Sequence, residues 1–295
     1  MNININLNFK NGFKNYKIDV ILLAILTFAM FLRLYELNFQ SAWLDEISTL
    51  IMTDSKYSFK EFRELTYQRE GIPDFYFLLI KFASMLFGHT ILVVRLVSAA
   101  AGIFAVYYIF LLARELHNKY AGYIAAILLT VNIFHIEHSQ EGRSYAFIVL
   151  FIIIAYYRLL LFLKEINLKN ALILGLFTGL ICNAHPVGLL NIVSVYLSLL
   201  VFIFTTKDKK GKIKLFKFSF YSGLLAFITF LPIYSIVSKA SKVESFWIPR
   251  PTYNDIKSVF IDLLGRDQFL AGFSILLTII YFIVSGYQLL NENSQ

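Results

Sequence analysis

Arg33-Leu34-Tyr35 ends the first long apolar run of the sequence, and Trp43-Leu44-Asp45-Glu46 follows it after a short turn-like stretch. The run covers residues 18–32 and is nearly long enough to cross a bilayer as one helix, because a span needs ~20 predominantly apolar residues. The two adjacent acids then lie just beyond the far end of a membrane span. This arrangement predicts that the other apolar runs form helices around the acidic pair.

The composition is that of a membrane protein. Of the 295 residues, 58% are hydrophobic and only 16% are charged, which is more apolar surface than a soluble globular domain needs. The single cysteine, Cys182, excludes an intramolecular disulfide. The net charge of +8 does not indicate nucleic acid, because the lysines lie between apolar runs and form no groove-binding patch. Lysines placed in this way face membrane lipid.

Eight apolar runs are long enough to span the membrane, so the predicted fold is an all-α polytopic membrane protein with about eight transmembrane helices. The first run is too long for a cleavable signal peptide, and no small-residue cleavage site follows it. A ninth run, residues 73–87, is short and carries Lys81 in its middle. The eight predicted spans are residues 18–35, 91–113, 120–134, 145–163, 168–182, 187–205, 216–237 and 269–289.

The distribution of lysines indicates the orientation and the status of residues 73–87. If this run does not span, loops 114–119, 164–169 and 207–217 share the side of the N-terminus and collect most of the lysines. Because cytoplasmic loops carry the excess of Lys and Arg, that side is cytoplasmic. We therefore expect residues 73–87 to form a helix along the outer interface of the cell membrane.

This topology divides the chain into two cytoplasmic tails, residues 1–17 and 291–295, and a transmembrane module, residues 18–290. The first outer loop covers residues 36–90 and the last covers residues 238–268, each with a predicted interfacial helix. Most of the chemically interesting polar residues then lie on the non-cytoplasmic face.

Two features of this face have alternative interpretations. Asp45 and Glu46 open a predicted helix, where acids interact favourably with the helix dipole without any further role. Arg95 lies inside a span near its outer end, where an unpaired charge is costly. It either extends towards outer-leaflet head groups or pairs with an acid of the first outer loop.

The second outer loop, residues 135–145, is densely polar. It is either a solvated turn with an internal Glu–Arg pair or an anion site in which Arg143 binds a phosphate. His135 and His138 suggest a metal only weakly, because a third ligand is not evident.

His185 lies at the turn between two apolar runs and is either a satisfied polar residue or a functional one. The last outer loop contains Trp247 and two prolines. It serves as a lid over the membrane face, or Trp247 is an interfacial anchor beside a surface helix.

Motifs for several other chemistries are absent from the sequence. It contains no P-loop, dinucleotide fingerprint, nucleophile elbow or CxxC pair. Any activated substrate must therefore bring its own energy.

Several short motifs occur in an order that resembles a known family. They are Arg33-Leu34-Tyr35, Trp43-Leu44-Asp45-Glu46, Pro73 with Phe75-Tyr76, Arg95-Leu96-Val97-Ser98-Ala99, Ser139-Gln140-Glu141-Gly142-Arg143-Ser144-Tyr145, His185 and Phe246-Trp247-Ile248-Pro249. From about residue 18 to 270 the chain resembles the superfamily C glycosyltransferases that use polyprenyl-phosphate sugars. Within them it is similar to relatives of the protein O-mannosyltransferases and the aminoarabinose lipid A transferases.

The resemblance implies a function and residue roles. Such enzymes transfer a sugar, with inversion, from a polyprenyl-phosphate donor to an acceptor on the outer face, where the acceptor is a protein, a lipid or a wall polymer. Asp45 would be the general base and Glu46 would orient Asp45 or the acceptor. The other implied contacts are Arg143 and Tyr145 with the donor phosphate, and Gln140, Glu141, His185 and Trp247 with the substrates. The resemblance leaves a divalent cation open as a cofactor and assigns no metal ligand.

Two departures from the family keep alternatives open. Gly71-Ile72-Pro73 stands where the family commonly has His-Pro-Pro, and the chain ends at Gln295, soon after the last predicted span. The alternatives are a non-catalytic protein that binds or carries a lipid-phosphate sugar, and a truncated, inactive homologue. A secondary transporter fits less well, because acids and arginines are nearly absent from mid-span positions.

Overall fold

A computed structural model describes residues 19–69, 73–240, 252–263, 266, 268–269, 272–276 and 278–280. Both predicted tails, Trp247 and most of the predicted span 269–289 lie outside these residues. Every regular element within them is a helix. The helices are α1 Val20–Leu34, α2 Leu44–Thr53, α3 Phe59–Arg69, α4 Phe75–Phe87, α5 Ile91–Leu116, α6 Lys119–Val131, α7 Ile133–Gln140, α8 Tyr145–Lys164, α9 Leu168–Ala184, α10 Leu189–Thr205, α11 Lys209–Phe230, α12 Tyr234–Ala240 and α13 Tyr253–Leu263.

The chain has an all-α polytopic membrane fold, as the sequence predicts. Within the described residues, four helical segments are long and apolar enough to span a membrane: Ile91–Leu116, Tyr145–Lys164, Pro186–Thr205 and Lys209–Ile236. The bent pair α6–α7 adds a fifth if its two helices are counted as one span, whereas α1, α4 and α9 are apolar but shorter. The number of eight spans stays a prediction.

The predicted span 120–134 differs from the structure at its outer end. The helix breaks at Asn132, and α6 and α7 meet at a bend of 61°. The Asn132 side chain accepts a hydrogen bond from the backbone N–H of His135 (2.8 Å) and so caps α7. Residues 133–140, which the sequence assigns partly to a span and partly to a polar loop, therefore form a separate short helix.

Arg33 of α1 stabilises this break. It is fully buried and donates to the backbone carbonyls of Leu129 (3.0 Å) and Thr130 (3.3 Å). It also donates to Nδ1 of His135 at 2.7 Å. Because a helix end leaves carbonyl groups without intrahelical partners, the guanidinium satisfies groups that the bend exposes. Arg33 thus attaches the end of α1 to the start of α7.

Helices α9 and α11 pack closely against each other. A Cβ on Gly175 would lie 2.3 Å from the backbone oxygen of Ser222, and one on Gly179 would lie 1.7 Å from Oγ1 of Thr229. Small residues at helix interfaces in membranes let two backbones approach closely.

Helix α4 packs on α5 and contacts the segment between α2 and α3. Lys81 in its middle donates to the backbone carbonyls of Asp54 (2.9 Å) and Tyr57 (3.0 Å), between α2 and α3. The cation that interrupts this apolar helix therefore has polar partners in the first outer loop. Placement of α4 along the outer interface stays a prediction.

Candidate active site

A buried ion pair between α2 and α5 forms the framework of the site. Arg95 donates from Nε to Oε1 of Glu46 (2.9 Å) and from Nη2 to Oε2 (2.7 Å), and both side chains are almost completely buried. This two-bond geometry is the strongest arrangement available to an arginine and a carboxylate. Of the two alternatives for Arg95, the structure shows the pair with an acid of the first outer loop.

The rest of the Arg95 guanidinium organises the chain that leads into α2. Nη1 donates to the carbonyls of Leu37 and Gln40, both at 2.9 Å, and Nη2 also donates to the carbonyl of Ser41 at 3.3 Å. One buried side chain thus holds the backbone that precedes Asp45.

Glu46 joins three parts of the molecule. Besides Arg95, its carboxylate accepts from the backbone N–H of Gly142 (2.7 Å) and, more weakly, of Trp43 (3.4 Å). Burial opposes ionisation of Glu46, but the hydrogen bonds from Arg95, Gly142 and Trp43 outweigh it and lower the pKa of this carboxyl group. With both oxygens occupied, Glu46 is suited to positioning its neighbours.

The backbone around Arg143 is closely held. A Cβ on Gly142 would lie 2.7 Å from Cγ1 of Val94 and 3.1 Å from Oε1 of Glu46, so only glycine fits without displacement. The Arg143 carbonyl accepts from Oγ of Ser98 at 3.0 Å. The direction in which Arg143 leaves the backbone is therefore set by α2 and α5.

Asp45 and Arg143 meet at this framework. Oδ2 of Asp45 lies 3.7 Å from Nη2 of Arg143. The Asp45 side chain is 39% exposed, whereas that of Arg143 is 5% exposed. An accessible carboxylate thus lies beside a buried cation. The two segments that carry these residues are joined by Glu46, which follows Asp45 in α2 and bonds to the backbone of Gly142.

A row of rings extends from this pair towards α9. The ring of Tyr145 lies between those of His138 (5.0 Å between centroids) and His185 (6.1 Å). His138 bonds through Nδ1 to Oε2 of Glu141 at 3.1 Å. Nδ1 of His185 accepts from the backbone N–H of Val187. Burial and the charge of Arg143 lower the pKa of His185, which favours its neutral form.

Two cavities lie next to this framework, and neither is lined by Asp45 or Arg143 themselves. The first, named the outer cleft after the predicted topology, has a volume of about 610 Å³ and a wall of mixed polar and apolar side chains that includes Glu36, Gln40 and Gln140. The second, an apolar groove, has a volume of about 450 Å³ and a mainly apolar wall that includes Phe134 and Val149. Trp43 and Glu141 belong to the walls of both cavities.

The structure brings some of the predicted site residues together and gives Gln140 a different set of contacts. Asp45, Glu46 and Arg143 come together, and Glu141, Tyr145 and His185 lie close by. The amide of Gln140 donates to the carbonyls of Leu32 (3.2 Å) and Tyr35 (2.9 Å) and so attaches α7 to the end of α1, although Gln140 also lines the outer cleft.

The described residues contain no group of three or more His, Cys, Asp or Glu side chains that could hold a metal ion. Nδ1 of His135 bonds to Arg33 and Nδ1 of His138 bonds to Glu141, so these two histidines point to different partners.

Sequence reasoning missed the roles of Gly142 and Trp43. A glycine between two charged residues of a polar loop is a signal for a close backbone approach. Nothing in the sequence indicates that Trp43 lines two cavities, because the other residues of their walls come from segments distant in sequence.

Comparison with known proteins identifies the family. The family described as dolichyl-phosphate-mannose-protein mannosyltransferase matches residues 73–236, more than half of the chain. The match includes Arg95, Arg143 and His185, whereas Asp45 and Glu46 precede it. A comparison with curated proteins finds no match. The chain therefore belongs to the dolichyl-phosphate-mannose-protein mannosyltransferase family, a family of membrane glycosyltransferases.

Proposed function

We propose that this protein transfers a sugar, with inversion, from a polyprenyl-phosphate donor to an acceptor hydroxyl on the non-cytoplasmic face of the cell membrane. The observation that carries the proposal is the placement of an accessible carboxylate, Asp45, 3.7 Å from a buried guanidinium, Arg143. Such a pair supplies the two charges that the reaction needs: a base for the acceptor and a cation for the leaving phosphate.

Asp45 acts as the general base. It takes the proton of the acceptor hydroxyl as the acceptor oxygen forms a bond to the anomeric carbon of the sugar. The bond from this carbon to the phosphate oxygen breaks on the opposite face, which inverts the configuration. The products are the glycosylated acceptor and polyprenyl phosphate, and the proton on Asp45 returns to solvent. Glu46 holds the backbone near the base through its hydrogen bonds from the N–H groups of Trp43 and Gly142.

Arg143 binds the donor phosphate and stabilises the charge that grows on it as the glycosyl bond breaks. A guanidinium matches the geometry of phosphate oxygens, and burial strengthens its electrostatic effect. Tyr145 and the neutral imidazole of His185 lie on the same side and supply further hydrogen-bond donors to the donor head group.

The donor explains why such a site is attached to membrane helices. The apolar groove is lined by Ile148 and Val149 from the first turn of α8, so it starts at the membrane surface. A prenyl chain can lie in lipid against this groove while its phosphate reaches Arg143. The apolar groove therefore suits the prenyl chain of the donor, and Arg143 suits its phosphate.

Arg143→Ala is expected to weaken donor binding about 10- to 100-fold, the contribution of a hydrogen bond between charged groups. The measurement is equilibrium binding of a radiolabelled prenyl-phosphate sugar to the purified protein in nanodiscs, with thermal unfolding recorded alongside. Arg63→Ala is the matched control, because Arg63 is an exposed outer-loop arginine paired with Asp74. Unchanged affinity in Arg143→Ala would remove the phosphate role.

The proposed orientation also has a direct test. Helix α8 has 20 residues and is about 30 Å long, which is the length that the proposed orientation needs to put Lys164 and Arg143 on opposite sides of the membrane. In a Cys182→Ala background, we expect a membrane-impermeant maleimide to label Glu64→Cys on intact cells and to leave Lys210→Cys unlabelled until the cells are opened. The reverse pattern would place the site on the cytoplasmic face.

A further inference from the structure

The outer cleft and the apolar groove differ in character and share part of their walls. Polar and apolar side chains contribute equally to the outer cleft, whereas the groove is lined mainly by apolar and aromatic side chains. The shared residues, Trp43 and Glu141, lie where a group would pass from one cavity to the other. In a transfer reaction, the transferred group occupies that junction.

We propose that Trp43 is the platform on which the transferred sugar lies, and that Glu141 accepts a hydrogen bond from one of its hydroxyls. This inference rests on the proposed function and adds the residues that recognise the sugar. The groove then holds the prenyl-phosphate end of the donor, and the outer cleft holds the acceptor. An aromatic ring suits this position because it packs flat against the C–H face of a sugar without competing for its hydroxyls.

The backbone of Trp43 is held close to the base. Its N–H donates to Oε2 of Glu46, and its carbonyl accepts from the N–H of Ile47 at 3.0 Å in the first turn of α2. Asp45 follows two residues later on the same turn. The Trp43 side chain is nevertheless 45% exposed, so a ligand can reach its ring. A sugar lying on this ring has its reacting carbon within reach of an acceptor bound at Asp45.

Glu141 is held in a similar way on the opposite wall. Its Oε2 bonds to Nδ1 of His138, and its backbone carbonyl accepts from the N–H of Arg143 at 2.8 Å. This arrangement leaves Oε1 to accept from a sugar hydroxyl. The residue that binds the phosphate and the residue that contacts the sugar are then near neighbours in one loop, which couples recognition of the two parts of the donor.

Trp43 would behave differently if it only anchored the protein at the membrane interface, where tryptophans are common. An anchor responds to lipid and is indifferent to the sugar on the donor. A prenyl phosphate without a sugar therefore separates the two roles.

Tryptophan fluorescence provides the first test. The chain has two tryptophans, so Trp247→Phe leaves Trp43 as the sole indole. In nanodiscs, we expect its emission to change on addition of a prenyl-phosphate sugar and to stay constant on addition of the same prenyl phosphate without the sugar. The donor for this test is chosen beforehand from a panel of prenyl-phosphate pentoses and hexoses, as the one from which the protein transfers sugar. Equal changes with both lipids, or no change with either, would overturn the proposal.

Kinetics provide the second test. Trp43→Ala is expected to raise the donor KM about tenfold, the effect of losing one aromatic contact, and Trp43→Phe is expected to raise it far less. The inhibition constant of the sugar-free prenyl phosphate should stay the same in both variants. Phe59→Ala is the control, because Phe59 is an exposed aromatic residue of α3 outside both cavities.

The two tests separate this inference from the proposed function. If no donor in the panel supports transfer by the unaltered protein, the proposed function fails. If transfer occurs but Trp43→Ala raises KM and the inhibition constant in parallel, Trp43 contacts the lipid and only the sugar platform is wrong. A KM that is unchanged in Trp43→Ala leads to the same conclusion.

Discussion

Asp45→Asn is expected to lower the rate of sugar transfer by about 10²- to 10⁴-fold, the usual contribution of a general base. Asparagine keeps the shape of the side chain, so α2 and its hydrogen bonds to Glu46 remain in place. It has no basic oxygen to take the proton of the acceptor hydroxyl. The measurement is transfer of labelled sugar from a prenyl-phosphate donor in proteoliposomes, and the loss should appear in kcat with little change in donor binding.

Asp54→Asn is the matched control for this variant. Asp54 follows the last turn of α2 and pairs with Lys56 on the surface, so its carboxylate belongs to the same helix but lies away from Arg143. The Asp54→Asn variant should transfer sugar at close to the normal rate. Full turnover in Asp45→Asn would remove Asp45 as the base.

Arg95→Ala is expected to destabilise the protein by about 3–5 kcal/mol, the effect of removing one partner from a buried ion pair. The Glu46 carboxylate would remain buried without its cation, and the carbonyls of Leu37, Gln40 and Ser41 would lose their donor. The measurement is the midpoint of thermal unfolding in detergent, together with the rate of proteolysis.

A surface pair provides the comparison for Arg95. Arg63 donates to Asp74 at 3.1 Å but is half exposed, so Arg63→Ala should cost less than about 1 kcal/mol. In Glu46→Leu/Arg95→Leu, the buried charges are removed together, and we expect this double variant to be more stable than either single substitution. A midpoint in Arg95→Ala equal to that of Arg63→Ala would contradict the framework role of the buried pair.

Several helix boundaries could be predicted from the sequence alone. The predicted span 145–163 differs from α8 by one residue, and the predicted span 168–182 differs from α9 by two. These helices are predominantly apolar and are followed by charged or polar residues, so local composition determines where they stop. The break at Asn132 could not be predicted in this way, because it depends on Arg33, which reaches the freed carbonyls from almost a hundred positions earlier in the sequence.

The candidate site shows the same division. Order along the chain and the predicted topology single out Asp45, Glu46 and Arg143 as candidates. The sequence could not determine whether Arg95 extends to lipid head groups or pairs with an acid, because either arrangement stabilises a charge near a helix end. Close packing of α2 on α5 made the pair with Glu46 the observed outcome.

The sequence by itself determined the membrane class and the helical composition, because hydropathy and helix length are properties of short segments. Only the tertiary structure decided that Glu46 pairs with Arg95, that Asp45 lies 3.7 Å from Arg143, and that Trp43 lines two cavities. Each of these facts depends on contacts between segments distant in sequence. Such contacts are selected by packing and by the cost of burying an unpaired charge, which no single segment reveals.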